Sequence, residues 1–293
     1  GAVVRSSSSG PDRSLRSLKG AVVNTRFYSE REIDLGRRFL DDGYVITDCE
    51  APDVLRGLVD DLRRESNRWL AGSGVTHVIE ALDTSHAAIP NDLVNGLRLH
   101  LFAYLNADTS IRVRYFSLAR TLIEALVGNE LAMQIKVNLS IQQPHDPASV
   151  LDIHSDVWTG DSPFQVVLWT PLTDTTESNA MFLLPPRAST EALQLVQSGE
   201  LSSMAAAMKA YRSQVSAIDM RVGQVLVFNS NCLHGNQLNT TSSSRWSLNC
   251  RFVSLLAPTT NPERRLGTYY SPITVRPATR VGLEALNVMG KLD

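Results

Sequence analysis

The sequence has few cysteines, no long apolar run and almost no net charge, and each of these absences excludes a class of protein. Its 3 cysteines are far apart and form no C-x-x-C pair, which argues against a disulfide framework and a structural zinc site. No apolar run approaches the roughly 20 residues that span a bilayer. A formal net charge of −2 gives no field to attract nucleic acid or an anionic membrane. These absences predict a cytoplasmic protein that binds neither, and they leave its oligomeric state open.

The patterning changes from helical to extended along the chain. Residues 1–20 are rich in serine, arginine and glycine, which is typical of disorder and also fits an organellar transit peptide. A disordered N-terminal segment is predicted over residues 1–28. The remainder predicts a single domain over residues 29–293. Helices dominate residues 29–128, strands form a core over residues 129–257, and residues 258–293 make a C-terminal tail.

Apolar residues at helical spacing, together with capping residues, predict several helices. They cover residues 29–38, 51–70, 91–106, 108–128, an insert at about 189–213 and a short tail helix at 281–288. Short β-branched and aromatic segments predict strands at 133–143, 149–156, 163–172, 179–185, 223–229 and 245–255. Many short strands without a βαβ rhythm predict a mainly β fold with flanking helices, a double-stranded β-helix of the jelly-roll, cupin-like type.

The segment LDIHSDVW, residues 151–158, contains an H-x-D triplet within a predicted strand. Residues two apart on a strand point to the same side, so His154 and Asp156 are expected to share one space. His234 follows a later apolar strand and adds a second imidazole. Two histidines and one carboxylate form the facial triad of non-haem iron oxygenases. A salt bridge from Asp156 to an arginine and a loop position for His234 are the alternative interpretations.

The segment RWSLNCRF alternates polar and apolar side chains. If the polar face points inward, Arg245 and Ser247 place a guanidinium and a hydroxyl two residues apart inside the barrel. Such a pair can bind the distal carboxylate of a dicarboxylate. A similar polar row, which includes Asn138 and Gln142, precedes the H-x-D triplet. A solvent-facing surface would explain the alternation of both rows equally well.

The order of these motifs resembles the Fe(II)/2-oxoglutarate-dependent dioxygenases, and within them the phytanoyl-CoA dioxygenase-like family. The matching pieces are FLDDGYVI, the H-x-D triplet, WTPLTDTTESNAMFLLP, GQVLVFNSNCLHGN, and Arg245 with Ser247. RWSLNCRFVSL and SPITVRPATRVGLEAL also resemble a bacterial branch found in streptomycin-type and other carbohydrate gene clusters. The loop after the central strand departs from the family, because PPRAS stands where Pro-Gly-Ser-His is common.

The resemblance implies a set of cofactors and binding residues. Fe(II) would be held by His154, Asp156 and His234, with 2-oxoglutarate as cosubstrate and O₂ as oxidant. The distal carboxylate of 2-oxoglutarate would meet Arg245 and Ser247, and Arg251 on the same strand face is the alternative. Gln142 is a further candidate for cosubstrate binding. Asn138, Trp158 and Arg251 are candidate substrate contacts, whereas Trp169 is expected to pack.

The expected reaction is hydroxylation of an unactivated C–H bond in a small natural-product, sugar-derived or lipid-like substrate, with release of succinate and CO₂. Asp156 disfavours a halogenase, because related halogenases carry a small residue there. Desaturation, cyclisation and epimerisation by the same oxidant stay open, as does a cupin-like metal-dependent isomerase or lyase that does not use 2-oxoglutarate. A degenerate binding module is disfavoured by the presence of all three ligands. A zinc hydrolase is disfavoured because no general-base glutamate lies at recognisable spacing.

Overall fold

The computed structural model describes residues 25–258 and 261–289. The first part of the chain is mainly helical, and it comprises α1 (Glu30–Asp41), β1 (Tyr44–Asp48), α2 (Pro52–Gly72), α3 (Val94–Ala107), α4 (Ile111–Ser117) and α5 (Arg120–Val127). The strands that follow are β2 (Leu131–Gln134), β3 (Asn138–Gln142), β4 (Gln165–Pro171) and β5 (Phe182–Leu183). The remaining elements are α6 (Pro186–Ser198), α7 (Met204–Ala210), β6 (Ser216–Ala217), β7 (Gln224–Asn229), β8 (His234–Gly235), β9 (Arg245–Ser254), β10 (Tyr270–Thr274) and α8 (Pro277–Val288).

Within the described residues the strands form two antiparallel sheets. The major sheet has seven strands, in the order β1-β7-β4-β9-β2-β10, and β3 pairs with β9 beside β2. The minor sheet has three strands, in the order β6-β5-β8. Apolar side chains of both sheets, including Val167 and Phe228 of the major sheet and Leu183 of the minor one, pack in one cluster. The predicted mainly β jelly-roll fold with flanking helices is therefore confirmed.

The burial of alternate residues in β9 shows which face of the major sheet packs against the helices. Trp246, Leu248, Cys250 and Phe252 are all fully buried, in the same cluster as the apolar faces of the helices. Burial of a large apolar side chain stabilises the fold by about 1.5–3 kcal/mol. The alternate residues of β9 consequently point between the two sheets, and the surface interpretation of its polar row is wrong.

Helix α1 begins where the sequence predicts. Ser29 and Glu32 form a reciprocal capping box, in which the Ser29 hydroxyl accepts from the Glu32 N–H and the Glu32 carboxylate accepts from the Ser29 N–H. The helix continues to Asp41, three residues beyond the predicted end. Among the described residues, no helix has both the length and the apolar character that crossing a membrane requires.

The single helix predicted over residues 108–128 is two helices. The Glu50 carboxylate accepts hydrogen bonds from the backbone N–H groups of Thr121 and Leu122, and it thereby caps the start of α5. Ala119 leaves the helical conformation, with φ of −149°. A cap supplied by a residue about seventy positions away cannot be inferred from local periodicity. The predicted stop at Gly128 is correct.

The strand prediction is wrong at several points. The segment 133–143 divides into β2 and β3, because the Asn106 side chain binds both the N–H and the carbonyl of Val137 between them. The segment 149–156 is irregular apart from one β-bridge at His154. Segment 179–185 keeps only the two residues of β5, and the predicted insert is the separate helices α6 and α7. Strand β10 was not predicted, and most of the segment 1–28 lies outside the described residues.

Candidate metal centre

His154 and His234 are held side by side by the backbone. The N–H of each donates to the carbonyl of the other, at 3.0 and 2.9 Å, so the two residues form an antiparallel bridge at the edge of the minor sheet. Side chains of directly opposed residues lie on the same face, and the two ring centroids are 4.4 Å apart. Gly235 permits this approach, because a Cβ there would lie 3.0 Å from the Leu151 carbonyl oxygen.

Asp156 completes the cluster from the turn that follows the bridge. Its Oδ1 lies 3.7 Å from the His154 Nε2 and 3.9 Å from the His234 Nε2. Potential ligand atoms of the three residues all lie within 4.8 Å of one another. The structure therefore brings together the three residues that the sequence proposed as ligands. It does so with a turn and a bridge, where a continuous strand was predicted.

The tautomers of both imidazoles follow from their hydrogen bonds. The His154 Nδ1 lies 2.8 Å from the Asp152 carbonyl oxygen, and the His234 Nδ1 lies 2.9 Å from the Cys232 carbonyl oxygen. A carbonyl can only accept, so each Nδ1 carries a proton, and each Nε2 is the ring nitrogen left to bind a metal. Burial lowers the pKa of His234 to about 4, which keeps this imidazole neutral at physiological pH.

Two imidazoles and a carboxylate on one side of a cavity suit an octahedral divalent metal with free positions. Fixed Nδ1–H donors are the usual outer contacts of histidines that bind metals. The donor set thus fits Fe(II).

Arg245 enters the same cavity from β9. Its side chain is buried, with Nη2 3.3 Å from the Ser140 Oγ and Nη1 3.5 Å from the Asn179 carbonyl oxygen. Its Nε has no hydrogen-bond partner, and within the described chain no carboxylate lies within 4.0 Å of its guanidinium. Burial alone lowers the pKa of Arg245 to about 10. The neighbouring Ser247 hydroxyl is also without a partner. Leaving such groups unsatisfied is costly, and an anionic ligand would satisfy both of them.

The cavity that contains both groups is small. Its volume is about 130 Å³, which by the space that one water molecule needs corresponds to roughly ten non-hydrogen atoms. Its apolar walls are Leu151, Val167, Trp169, Met181 and Phe228, and its polar lining includes Ser140, Ser149, Asn236, Asn249 and the cluster itself. A metal ion and a small dicarboxylate can be accommodated together.

The other residues singled out from sequence lie in different places. Gln142 is buried and donates to the Gln237 carbonyl at 2.6 Å, but it does not line the cavity. Asn138 donates to Asn249 at 3.0 Å and stands behind it. Trp158 is half exposed, outside the cavity. Trp169 packs between the sheets as expected and also lines the cavity.

Arg251 lies against Asp156. Its Nη2 is 2.9 Å from Oδ1 and its Nε is 3.2 Å from Oδ2, so the contact is bidentate. Burial would lower the pKa of Arg251, but Asp156 and nearby acidic groups raise it above its ordinary value. The salt bridge considered as an alternative for Asp156 therefore exists together with the histidine cluster.

Sequence reasoning did not identify Asp161 and Arg264, which extend this ion pair. Asp161 lies 2.8 Å from Arg251, and Arg264 lies 3.0 Å from Asp161. The available signal was weak. Asp161 is a second carboxylate five residues after Asp156, next to a glycine.

The comparisons with known proteins agree with this architecture. The phytanoyl-CoA dioxygenase (PhyH) family profile matches residues 39–247, which is well over half of the chain. No curated protein matches the sequence. Among solved structures, the chain is similar to a nickel complex of the non-haem monooxygenase ThoJ, with 17% identity, 87% of this chain and 96% of that chain covered, and a TM-score of 0.52.

Two further solved structures share the fold. AviO1 from Streptomyces viridochromogenes Tue57 is 16% identical, with 79% of this chain and 98% of that chain covered and a TM-score of 0.51. EvdMO1 is also 16% identical, with 77% of this chain and 50% of that chain covered and a TM-score of 0.52. The family match, the fold and the clustered histidines and aspartate lead to one conclusion: the chain belongs to the phytanoyl-CoA dioxygenase family, and it is an enzyme of the iron- and 2-oxoglutarate-dependent type that its motifs predicted.

Proposed function

We propose that this chain hydroxylates an unactivated C–H bond of a small molecule, using Fe(II), 2-oxoglutarate and O₂. One observation carries the proposal. The buried Arg245 guanidinium has no carboxylate partner in the described chain, and it shares a cavity with the His-Asp-His cluster. A metal centre alone explains the cluster, whereas a cosubstrate with a free anionic end explains both features.

In this proposal His154, His234 and Asp156 hold the iron. Arg245 and Ser247 bind the distal carboxylate of 2-oxoglutarate through charge-assisted hydrogen bonds, and Ser140 steadies the guanidinium. When bound, iron and 2-oxoglutarate supply the oxidant from O₂, and 2-oxoglutarate leaves as succinate and CO₂. The apolar walls exclude water, which strengthens the ion pair at Arg245.

The two arginines of β9 have different roles here. Arg251 already contacts both oxygens of Asp156, so its fork is occupied. Arg245 has a free Nε and two long hydrogen bonds. We therefore assign the distal carboxylate to Arg245, and we assign Arg251 to the support of Asp156 and not to substrate. Gln142 is bound to the Gln237 carbonyl, outside the cavity, so we do not assign it to cosubstrate binding.

The substrate would enter near Ser149, Leu151 and Asn236. Leu151 lines the cavity and is 56% exposed, so one wall of the opening is apolar and accessible. Such an opening suits a natural-product, sugar-derived or lipid-like molecule with an apolar part. Desaturation, cyclisation or epimerisation would use the same site, and the products identify which reaction occurs.

The test is 2-oxoglutarate turnover by the purified full chain with Fe(II) in air. We expect slow, iron-dependent formation of succinate without added substrate, and faster formation when a true substrate is present. A protein that binds metal but neither binds nor consumes 2-oxoglutarate would instead be a cupin-like isomerase or lyase.

A further inference from the structure

Four side chains of alternating charge run from the cluster to the C-terminal segment. Arg251 contacts Asp156 at 2.9 and 3.2 Å, its Nε lies 2.8 Å from the Asp161 Oδ2, and the Arg264 Nε lies 3.0 Å from the Asp161 Oδ1. The side chains of Asp156 and Asp161 are each only 3% exposed. Two buried carboxylates so close together require cations, and the two arginines supply them.

The two aspartates are the ends of one turn. The backbone N–H of Asp161 donates to the Asp156 carbonyl at 3.1 Å, so the turn holds both carboxylates around Arg251. Gln165 donates to the Asp161 Oδ2 at 3.2 Å, which fixes that carboxylate from the side of β4. The placement of Asp156 is therefore linked to the placement of Asp161.

The C-terminal segment, defined as residues 261–270, docks onto the outer side of this turn. The Asn261 amide donates to the Gly160 carbonyl at 3.0 Å. The Arg264 guanidinium also lies 4.2 Å from the centroid of the Tyr269 ring. These contacts reduce the freedom of Arg264, because a guanidinium on an aromatic face gains cation–π attraction. The Tyr269 ring thus restricts the Arg264 guanidinium, which contacts Asp161.

We propose that the charge chain Asp156–Arg251–Asp161–Arg264 positions Asp156 to coordinate the metal through Oδ1 alone, which makes the C-terminal segment a working part of the metal centre. The Oδ1 atom lies 3.7 and 3.9 Å from the two histidine Nε2 atoms and also accepts from the Arg251 Nη2 at 2.9 Å, while the Arg251 Nε contacts Oδ2 at 3.2 Å. The guanidinium therefore holds the carboxylate with Oδ1 towards the histidines, and Oδ1 keeps a second lone pair for a metal. This inference rests on the proposed function, because it requires a metal at the cluster. Arg251 and Arg264 both lie beyond the residues 39–247 that match the family.

Two effects of Arg251 on metal affinity oppose each other. Its positive charge repels a divalent cation, whereas its fork fixes the orientation of the carboxylate ligand. Loss of an outer-shell partner generally weakens metal binding by about 10–100-fold. Asp161, 2.8 Å from Arg251, offsets part of the guanidinium charge, so the repulsion is reduced and the orienting effect is kept. We therefore expect removal of Arg251 to weaken metal binding.

The experiment uses Co(II) as a probe on the full chain, because its visible absorption reports coordination geometry independently of turnover. Arg251→Gln should weaken Co(II) binding by about 10–100-fold and alter the spectrum. Arg251→Lys should restore little, because an ammonium keeps the charge without the planar fork. Full restoration by lysine would show that charge alone matters and would overturn the positioning role.

The matched pair Arg264→Gln and Arg265→Gln tests the C-terminal segment. Arg264 is an intermediate, half-buried side chain in the charge chain, whereas Arg265 is exposed and outside it. We expect Arg264→Gln to weaken Co(II) binding several-fold, a fraction of the roughly 10–100-fold loss at Arg251, and Arg265→Gln to leave it unchanged. Both variants remove surface-accessible charge and should fold even if Arg251→Gln does not.

Three results would overturn the inference in different ways. Equal Co(II) affinities and spectra for the Arg264→Gln and Arg265→Gln proteins would exclude the C-terminal segment from the metal centre. Tighter binding of Co(II) by the Arg251→Gln protein would show that the guanidinium competes with the metal for Asp156 and does not position it. Failure of the unsubstituted chain to bind Co(II) would remove the proposed function itself, and the charge chain would then be purely structural.

Discussion

Two arginines on one face of β9, six residues apart, meet opposite electrostatic surroundings. Arg251 is shared by two buried carboxylates, whereas Arg245 is more deeply buried and has hydroxyl and carbonyl contacts but no ion pair in the described chain. The pKa of Arg251 is raised, and that of Arg245 is lowered to about 10 by burial. The comparison teaches that residue type and strand face do not assign a role. The role follows from the absence of a carboxylate beside Arg245, because a buried guanidinium without an ion pair suits an anionic ligand.

The largest expected effect comes from removing Asp156, the carboxylate that pairs with Arg251 and faces both histidines. Asp156→Ala should weaken metal binding by more than the roughly 100-fold upper range for outer contacts, because it deletes a ligand. Arg251 would keep Asp161 as its partner, so the fold should remain. Metal content and succinate formation provide the measurement. If both stay at the level of the unsubstituted chain, the metal assignment is wrong.

Arg251→Met tests the difference between the two arginines through the free energy of unfolding. It leaves Asp156 and Asp161 buried beside each other without their shared cation, and breaking such a pair costs about 3–5 kcal/mol. Urea denaturation of the metal-free protein should show this decrease in the free energy of unfolding. A decrease below about 1 kcal/mol would mean that water reaches the carboxylates and that the pair is in effect a surface one.

Arg245→Met should have the opposite effect on the same measurement. Replacing a buried, under-satisfied cation with an apolar side chain of similar length should raise the free energy of unfolding by about 1–3 kcal/mol. The affinity for 2-oxoglutarate should fall at least tenfold, because a lost charge-assisted contact costs about 1.5–3 kcal/mol. Calorimetric titration measures the affinity. An unchanged affinity would move the distal carboxylate elsewhere.

Ser247→Ala is the smallest change at the Arg245 end. The hydroxyl has no partner in the structure, so its removal should leave metal affinity unaltered and should not lower the free energy of unfolding. If it donates to the cosubstrate, the affinity for 2-oxoglutarate should fall by about 0.5–1.5 kcal/mol, or roughly two- to twelvefold. Ser149→Ala, at the opening of the same cavity, is the control and should retain full affinity.

The structure clusters the three side chains that the sequence proposed as ligands, although several of the elements that hold them were predicted incorrectly. The alternation of RWSLNCRF defined two faces, but only the packing of Trp246 against the helices shows which face turns inward. The H-x-D triplet was recognised, although its strand is a single bridge and a turn. These outcomes depend on contacts between distant segments. Glu50 at the start of α5 and Asn106 between β2 and β3 are examples in which a remote side chain overrides local propensity.

The backbone bridge between His154 and His234 also has a consequence for how the enzyme matures. The bridged residues are 80 positions apart, so the unfolded chain must close a long loop before both imidazoles can meet one ion. A nascent chain that has not yet reached residue 234 offers one of the two. An ion bound by both imidazoles would therefore add to this bridge only late in folding, and its binding would stabilise that edge of the minor sheet against opening.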